Sequence, residues 1–281
     1  MKQGTQLLLA LVVLMAVPGC DALRERFALK RGNELYTQQK YEKAAEEYAK
    51  ILAIEPDDWD GNYMSAISFL AMYHPGSTHP KDKEYAAKAI AGFEKCLTLD
   101  APSEEVATKV EEFYLSLLVS TGEFAKAGGF LEAKLEADPA NATLMVQLAQ
   151  LYAKSGDFEN ALKYFEMRAE AEPNNKEAWY TVGVVCWERS YRGGPAVSNE
   201  ERGRVIEKGT AALERALSLE PNYFDALSYI NLIYREKAKM LAELGDLEEA
   251  QVAYQTAERY MKQAIEVREK QTAGPKPATA S

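Results

Sequence analysis

Between residues 142 and 175, apolar or small side chains fall at Met145, Leu148, Ala149 and Tyr152, and again at Phe158, Ala161, Leu162 and Phe165. Ser155, Gly156 and Asp157 separate the two sets, and Pro173 closes the stretch. Steps of three and four put each set on one face of an α-helix, and the Gly-containing interval is a turn signal. The pattern predicts two amphipathic helices joined by a tight turn. One such hairpin cannot bury its own apolar stripe, so neighbours in register are expected along the chain.

The neighbours are present. Residues 25–58 repeat the pattern over 34 positions, with Gly32, Tyr41, Ala44, Tyr48 and Pro56 at matching places. Residues 108–141 repeat it with Gly122, Phe124, Ala127, Leu131 and Pro139. The units at 59–101, 176–223 and 224–271 keep their ends and stretch in the middle, the fifth carrying Trp179, Gly183, Ala216 and Pro221. The period of 34 and these residue types resemble the tetratricopeptide repeat. The resemblance covers about nine tenths of the chain. It implies an all-α fold, a right-handed superhelix (α-solenoid) of about six helical hairpins, the last two with lengthened helices.

The stretched units show where the excess goes. In the second, Phe69 and Ala89 stand 20 apart where the 34-residue pattern allows 9, and residues 73–80, rich in Pro and Gly, read as the inserted loop. In the fifth, Cys186 and Gly209 are 23 apart, as are Tyr234 and Ala257 in the sixth. Shared between the two helices of each hairpin, that excess lengthens each by about two turns, making a taller terminal block that resembles a capping module. Residues 192–195 form the expected turn of the fifth unit, with Ser198 and Glu201 spaced as a capping box; Gly245 and Asp246 form that of the sixth. Ser103, followed by Glu104 and Glu105, reads as a helix cap, and Gly128 with Gly129 as a close helix contact.

The chain is 281 residues long, 47% hydrophobic and 27% charged, which the repeats organise as one elongated domain. A net charge of -10 argues against nucleic acid as a partner, because phosphate tracking needs clustered Lys and Arg. Mean hydropathy of -0.34 and the lack of an apolar run near 18 residues argue against a polytopic membrane protein.

The N-terminus reads as an export signal over residues 1–19: Lys2, an apolar run from Leu7 to Val17, then Pro18, Gly19 and Cys20. The ending resembles the bacterial lipobox. It implies that Cys20 is acylated, as by palmitate, and anchors a periplasm-facing protein to the cell envelope, at the inner or outer membrane. Residues 20–24 would be anchor and short linker; Asp21 to Arg24, if extended, reach at most about 14 Å. Residues 272–281, with Pro275, Pro277 and small side chains, have nothing to bury and read as a disordered tail.

No nucleophile elbow, P-loop, zinc-protease helix or dinucleotide turn is present, so neither a catalytic residue nor a cofactor is expected. Cys96 and Cys186 fall at core places and read as buried hydrophobes. His74 and His79, five apart in the inserted loop, are the candidates for an alternative envelope enzyme or metal-binding function; only Asp82 and Glu84 accompany them, and an ordinary loop is expected. A passive spacer is the other alternative. The expectation that leads is a non-enzymatic, membrane-tethered scaffold that binds a peptide or helix of an envelope protein within an outer-membrane or pilus assembly, with no small-molecule substrate.

The resemblance also implies where that segment docks. First helices of such repeats line the concave face at their second, fifth, ninth and twelfth places. Read onto this chain, these include Tyr36, Tyr63, Ile67, Leu70, Val146, Gln150, Tyr180, Val184 and Trp187. Leu29 and Met64 stand where a Lys and an Asn clamp a terminal carboxylate in some family members, so the face is apolar and suits an amphipathic helix or extended apolar segment.

Overall fold

A computed structural model describes residues 18–193 and 197–272, with side chains from Ala22 onward. Residues 1–17 of the export signal, the Cys20 side chain, residues 194–196, which include part of the fifth unit's expected turn, and the tail after Thr272 lie outside the described residues. All regular elements described are α-helices: α1 Pro18–Thr37, α2 Tyr41–Leu52, α3 Trp59–Met72, α4 Pro80–Cys96, α5 Glu104–Thr121, α6 Phe124–Ala137, α7 Ala142–Ser155, α8 Phe158–Ala171, α9 Lys176–Arg192, α10 Asn199–Leu219, α11 Phe224–Leu244 and α12 Leu247–Thr272. They group into two compact units, Met1–Glu123 and Phe124–Ser281.

In the first unit each helix packs on the next, α1 on α2, α2 on α3, and so on to α5. Ala28, Leu35, Ala44, Tyr48 and Ile51 form a core cluster, with Leu29, Tyr36 and Met64 packed against it. Tyr48 is fully buried, which leaves its hydroxyl in need of a partner, and it donates to Asn33 Oδ1 at 2.8 Å. Between α1 and α2 the chain turns through Gln39 at φ 58°, whereas Gly122, Gly156 and Gly245 occupy the same left-handed region where α5, α7 and α11 end. An L side chain is strained there, so this turn carries a cost that the glycine turns avoid.

Asp21 to Arg24 are part of α1 and not an extended linker. As helix they advance about 6 Å where an extended chain would reach about 14 Å. The inserted loop of the second unit runs from Tyr73 to His79 and is organised by Asp82, which is buried near the start of α4. One carboxylate oxygen accepts from the His74 backbone N–H and lies 3.0 Å from His74 Nδ1, and the other accepts from Ser77 Oγ at 2.6 Å. These bonds stabilise the carboxylate form and hold its pKa at about 2, below the ordinary 3.8.

In the second unit α6 packs on α7, α7 on α8 and so on to α12, and α9 also touches α11 directly. The close approach read from Gly128–Gly129 belongs to Gly128 alone: a Cβ there would stand 2.8 Å from the Tyr152 hydroxyl, while one on Gly129 would meet open space. Tyr152 and Tyr164 stack at 5.7 Å, and both hydroxyls donate to Glu132 Oε1, at 2.9 and 2.7 Å. Gly183 of α9 and Gly209 of α10 mark a second tight crossing, where a Cβ on Gly209 would stand 2.6 Å from that of Cys186.

The lengthening of the last hairpins is uneven. Against 14 residues in α7 and in α8, α9 has 17, α10 and α11 have 21 and α12 has 26. α9 therefore gains less than two turns, since it ends at Arg192. Thr272 is the last residue of α12, so it belongs to a helix and not to the tail. Ser198 caps α10 by accepting from Glu201 N, but Glu201 does not return the bond as a capping box would. Its carboxylate accepts from Arg189 of α9 at 2.8 Å, trading a local bond for one between helices.

Candidate functional site

The side chains expected to line a groove fall in both units, each of which presents its own aromatic set. In the first, Tyr63 stacks on Trp59 at 4.9 Å and leans on buried Phe93 at 6.4 Å, and Phe93 meets Phe113 of α5 at 5.6 Å. This ladder ties α3 to α4 and α5. Tyr36 meets the edge of Tyr41 at 5.2 Å and covers the α1–α2 core. Ile67 and Leu70 are half-buried on α3.

The second unit holds the denser set. On α9 the steps of four, three and four from Tyr180 through Val184 and Trp187 to Tyr191 put all four on one face. On α11 Tyr229 stands perpendicular to two of them, at 80° and 5.5 Å from Tyr180 and at 83° and 5.2 Å from Trp187. Tyr223, capping α11, lies 5.4 Å from Tyr180, and Tyr191 stacks on Trp187 at 5.1 Å. Edge-to-face contacts of this kind are favoured by the ring quadrupoles, so the cluster is rigid without being buried. Tyr180, Trp187, Tyr223 and Tyr229 are half-buried and Tyr191 is 57% exposed. Val146 is half-buried and Gln150 exposed on α7, and no ring or hydrogen-bond contact among the described residues joins either to the cluster.

Acidic groups gather at the Tyr180 and Tyr223 end. Burial, then Asp225, Glu177 and Glu220, push the Tyr223 hydroxyl up to about 12. Tyr180 is raised by burial first, then by Tyr229 and Asp225. Lys176 sits 4.6 Å over the Tyr223 ring and is paired with Glu220, which leaves Glu177 and Asp225 as the exposed charges there.

Sequence reasoning placed Tyr180, Val184 and Trp187 on one face and missed Tyr191, Tyr223 and Tyr229. Tyr191 continues the α9 stripe by four residues and was readable from spacing. Tyr223 closes its repeat and Tyr229 lies on α11, so only the packing of α11 on α9 shows that their rings join the cluster.

Burial pushes the thiols of Cys96 and Cys186 up to about 12, far from a reactive thiolate. Both are free and buried. His74 is turned onto Asp82, and His79 Nδ1 accepts from Lys81 N at the cap of α4. No group of three metal-ligating side chains occurs among the described residues, and no described helix is long and apolar enough to cross a membrane.

Helices packed one on the next within each unit define an all-α fold of repeated helical hairpins. A sequence profile of the tetratricopeptide repeat matches residues 118–182, which contain α6, α7, α8 and the start of α9 with Tyr180. No curated protein matches the chain in sequence. Among solved structures, the C-terminal part of a TPR repeat-containing protein from Cytophaga hutchinsonii is 15% identical, over 87% of this chain and 81% of that one, with a TM-score of 0.47. YrrB, described as a TPR protein with an unusual peptide-binding site, is 21% identical over 75% and 97%, with a TM-score of 0.38. MamA from Desulfovibrio magneticus RS-1 is 14% identical over 89% and 97%, with a TM-score of 0.36.

Proposed function

We propose that this protein is a lipid-anchored scaffold of the bacterial cell envelope that holds a segment of a partner protein on the α9–α11 face. The observation that carries the proposal is the cluster of Tyr180, Trp187, Tyr191, Tyr223 and Tyr229, held rigid by ring contacts yet left open. Rigid, half-exposed aromatics supply most of the energy in protein recognition, because they bury large area at little entropic cost. The anchor rests on the lipobox-like residues before Cys20, and the periplasmic location on the export signal. Tyr36, Tyr63, Ile67 and Leu70 of the first unit, and Val146 and Gln150 of α7, are secondary candidates for contact.

The test is capture from detergent-solubilised membranes with the whole protein as bait. A partner retained by the wild type and lost with Tyr180→Ala/Trp187→Ala supports the assignment, provided the variant melts within a few degrees of the wild type. Retention by that variant moves the binding face elsewhere. No reproducible partner at all favours a spacer.

A further inference from the structure

The geometry of the α9–α11 face points to a particular kind of occupant: we propose that it takes an extended polyproline-II segment with a lysine or arginine at the end that meets Tyr223. This rests on the preceding assignment of the face as a binding site and names the chemistry of what binds.

Ring spacing is the first reason. Tyr180 and Trp187 are seven residues apart on α9, about 10.5 Å along the helix. Tyr229 stands edge-on between them, perpendicular to both. A polyproline-II chain repeats every three residues at about 3.1 Å each, so prolines three apart recur about every 9.3 Å. Successive prolines therefore fall on Tyr180 and on Trp187, with the edge-on Tyr229 between them. An α-helical occupant presents side chains every three or four residues at about 5 to 6 Å, so every second one would meet the edge-on Tyr229 instead of Tyr180 or Trp187.

Unused donors are the second reason. A polyproline-II backbone makes no internal hydrogen bonds and shows its carbonyls to the surface it lies on. Trp187 Nε1–H makes no hydrogen bond to any described residue, and it is not sealed from solvent. Aromatic grooves with such donors are a recurrent solution for proline-rich segments. A helix has its carbonyls satisfied internally and gains nothing from that donor.

Charge fixes the direction. Glu177 and Asp225 are exposed beside Tyr180 and Tyr223, while the nearby Lys176 is neutralised by Glu220. At the other end Glu188 is paired with Arg192. The two ends thus differ in charge, and a cationic end of the bound segment is drawn to Tyr223.

The experiment uses the full chain in detergent and three labelled twelve-residue peptides, read by fluorescence anisotropy. One carries repeated Pro-x-x-Pro with lysine at one end; in the second alanine replaces every proline; in the third glutamate replaces the lysine. The first peptide is expected to bind at least about tenfold more tightly than either other. Trp187→Phe, which keeps a ring and deletes the donor, is expected to weaken it several-fold, and Glu177→Gln/Asp225→Asn to abolish the preference for lysine over glutamate. Phe27→Ala, an exposed ring of α1 outside every candidate contact set, serves as the control and should leave binding unchanged. Equal or tighter binding of the alanine peptide, lost with Tyr180→Ala, overturns the polyproline assignment while leaving the face as a binding site. Binding of the first peptide that is indifferent to Trp187→Phe and Tyr229→Ala overturns it too. If none of the three binds at about 1 mM, the polyproline assignment fails, and capture from membranes judges the broader one separately.

Discussion

Gly128 and Gly129 are adjacent in one helix and look interchangeable in sequence, yet their surroundings make them opposites. Gly129 faces open space, so Gly129→Ala removes backbone entropy from the unfolded chain and should stabilise by about 0.5 to 1 kcal/mol. Gly128→Ala drives a methyl toward a Tyr152 hydroxyl that Glu132 already holds. It should be at least about 1 kcal/mol less stable than Gly129→Ala in urea melts, and the gap should close in a Tyr152→Phe background. Gln39 shows the reverse situation, a side chain where a glycine would suit the backbone. Gln39→Gly should raise the stability of the first hairpin by up to about 1 kcal/mol, the relief of left-handed strain outweighing the added freedom of the unfolded chain. An unchanged melt would show that the strain is relieved by its surroundings.

At the scale of elements, the loop between α3 and α4 behaves as a clasp closed by one carboxylate. Asp82 has a folded-state pKa below its unfolded value, so its contribution is full above about pH 4 and is lost as pH falls toward about 2. Protease nicking of residues 73–79 by an acid-active protease should therefore rise across that window. In Asp82→Asn it should be high at every pH, because the amide accepts less strongly and cannot match all three partners. Helix length sets a second contrast. The 21-residue α10 and α11 offer a longer continuous packing face than the 12-residue α2. In a repeat array stability is close to a sum over units and their contacts, so amide exchange should be slowest in α10 and α11 and faster in α2. Uniform exchange across all helices would mean that the chain opens as one cooperative body.

For the molecule as a whole, the question is where it is held. Cys20→Ser should move the protein from the membrane to the soluble fraction or block its processing, and mass spectrometry of the mature N-terminus should find acyl chains on Cys20. An unmodified mature N-terminus elsewhere would remove the anchor and leave the scaffold. With more than one acyl chain the attachment would be firm, since each buried CH₂ contributes about 0.8 kcal/mol. A net charge of -10 gives an acidic molecule in which Glu177 and Asp225 beside an aromatic face add local contrast. If the proposed face binds a cationic segment, association should be faster at low salt and the advantage should fade as salt rises.

Helix content and the turns between helices were legible in the sequence because they depend on local chemistry. The periods of three and four, Gly122, Gly156 and Gly245 at helix ends, and Ser103 and Ser198 as caps act within a few residues. What the side chains do beyond their own hairpin was decided only by tertiary packing. Glu201 leaves its capping box for Arg189, Asp82 gathers a loop, and Gly128 but not Gly129 meets a tyrosine. The candidate face follows the same division. One stripe, on α9, obeys helical spacing and could be read from the chain. The other half comes from Tyr223 and Tyr229, whose part in the site exists only because α11 packs directly on α9 and turns their rings onto Tyr180 and Trp187. Periodicity specifies which face of a helix is apolar, but the rotation and offset between two helices depend on every side chain at their crossing, Gly183 and Gly209 among them, and so appear only in the folded structure.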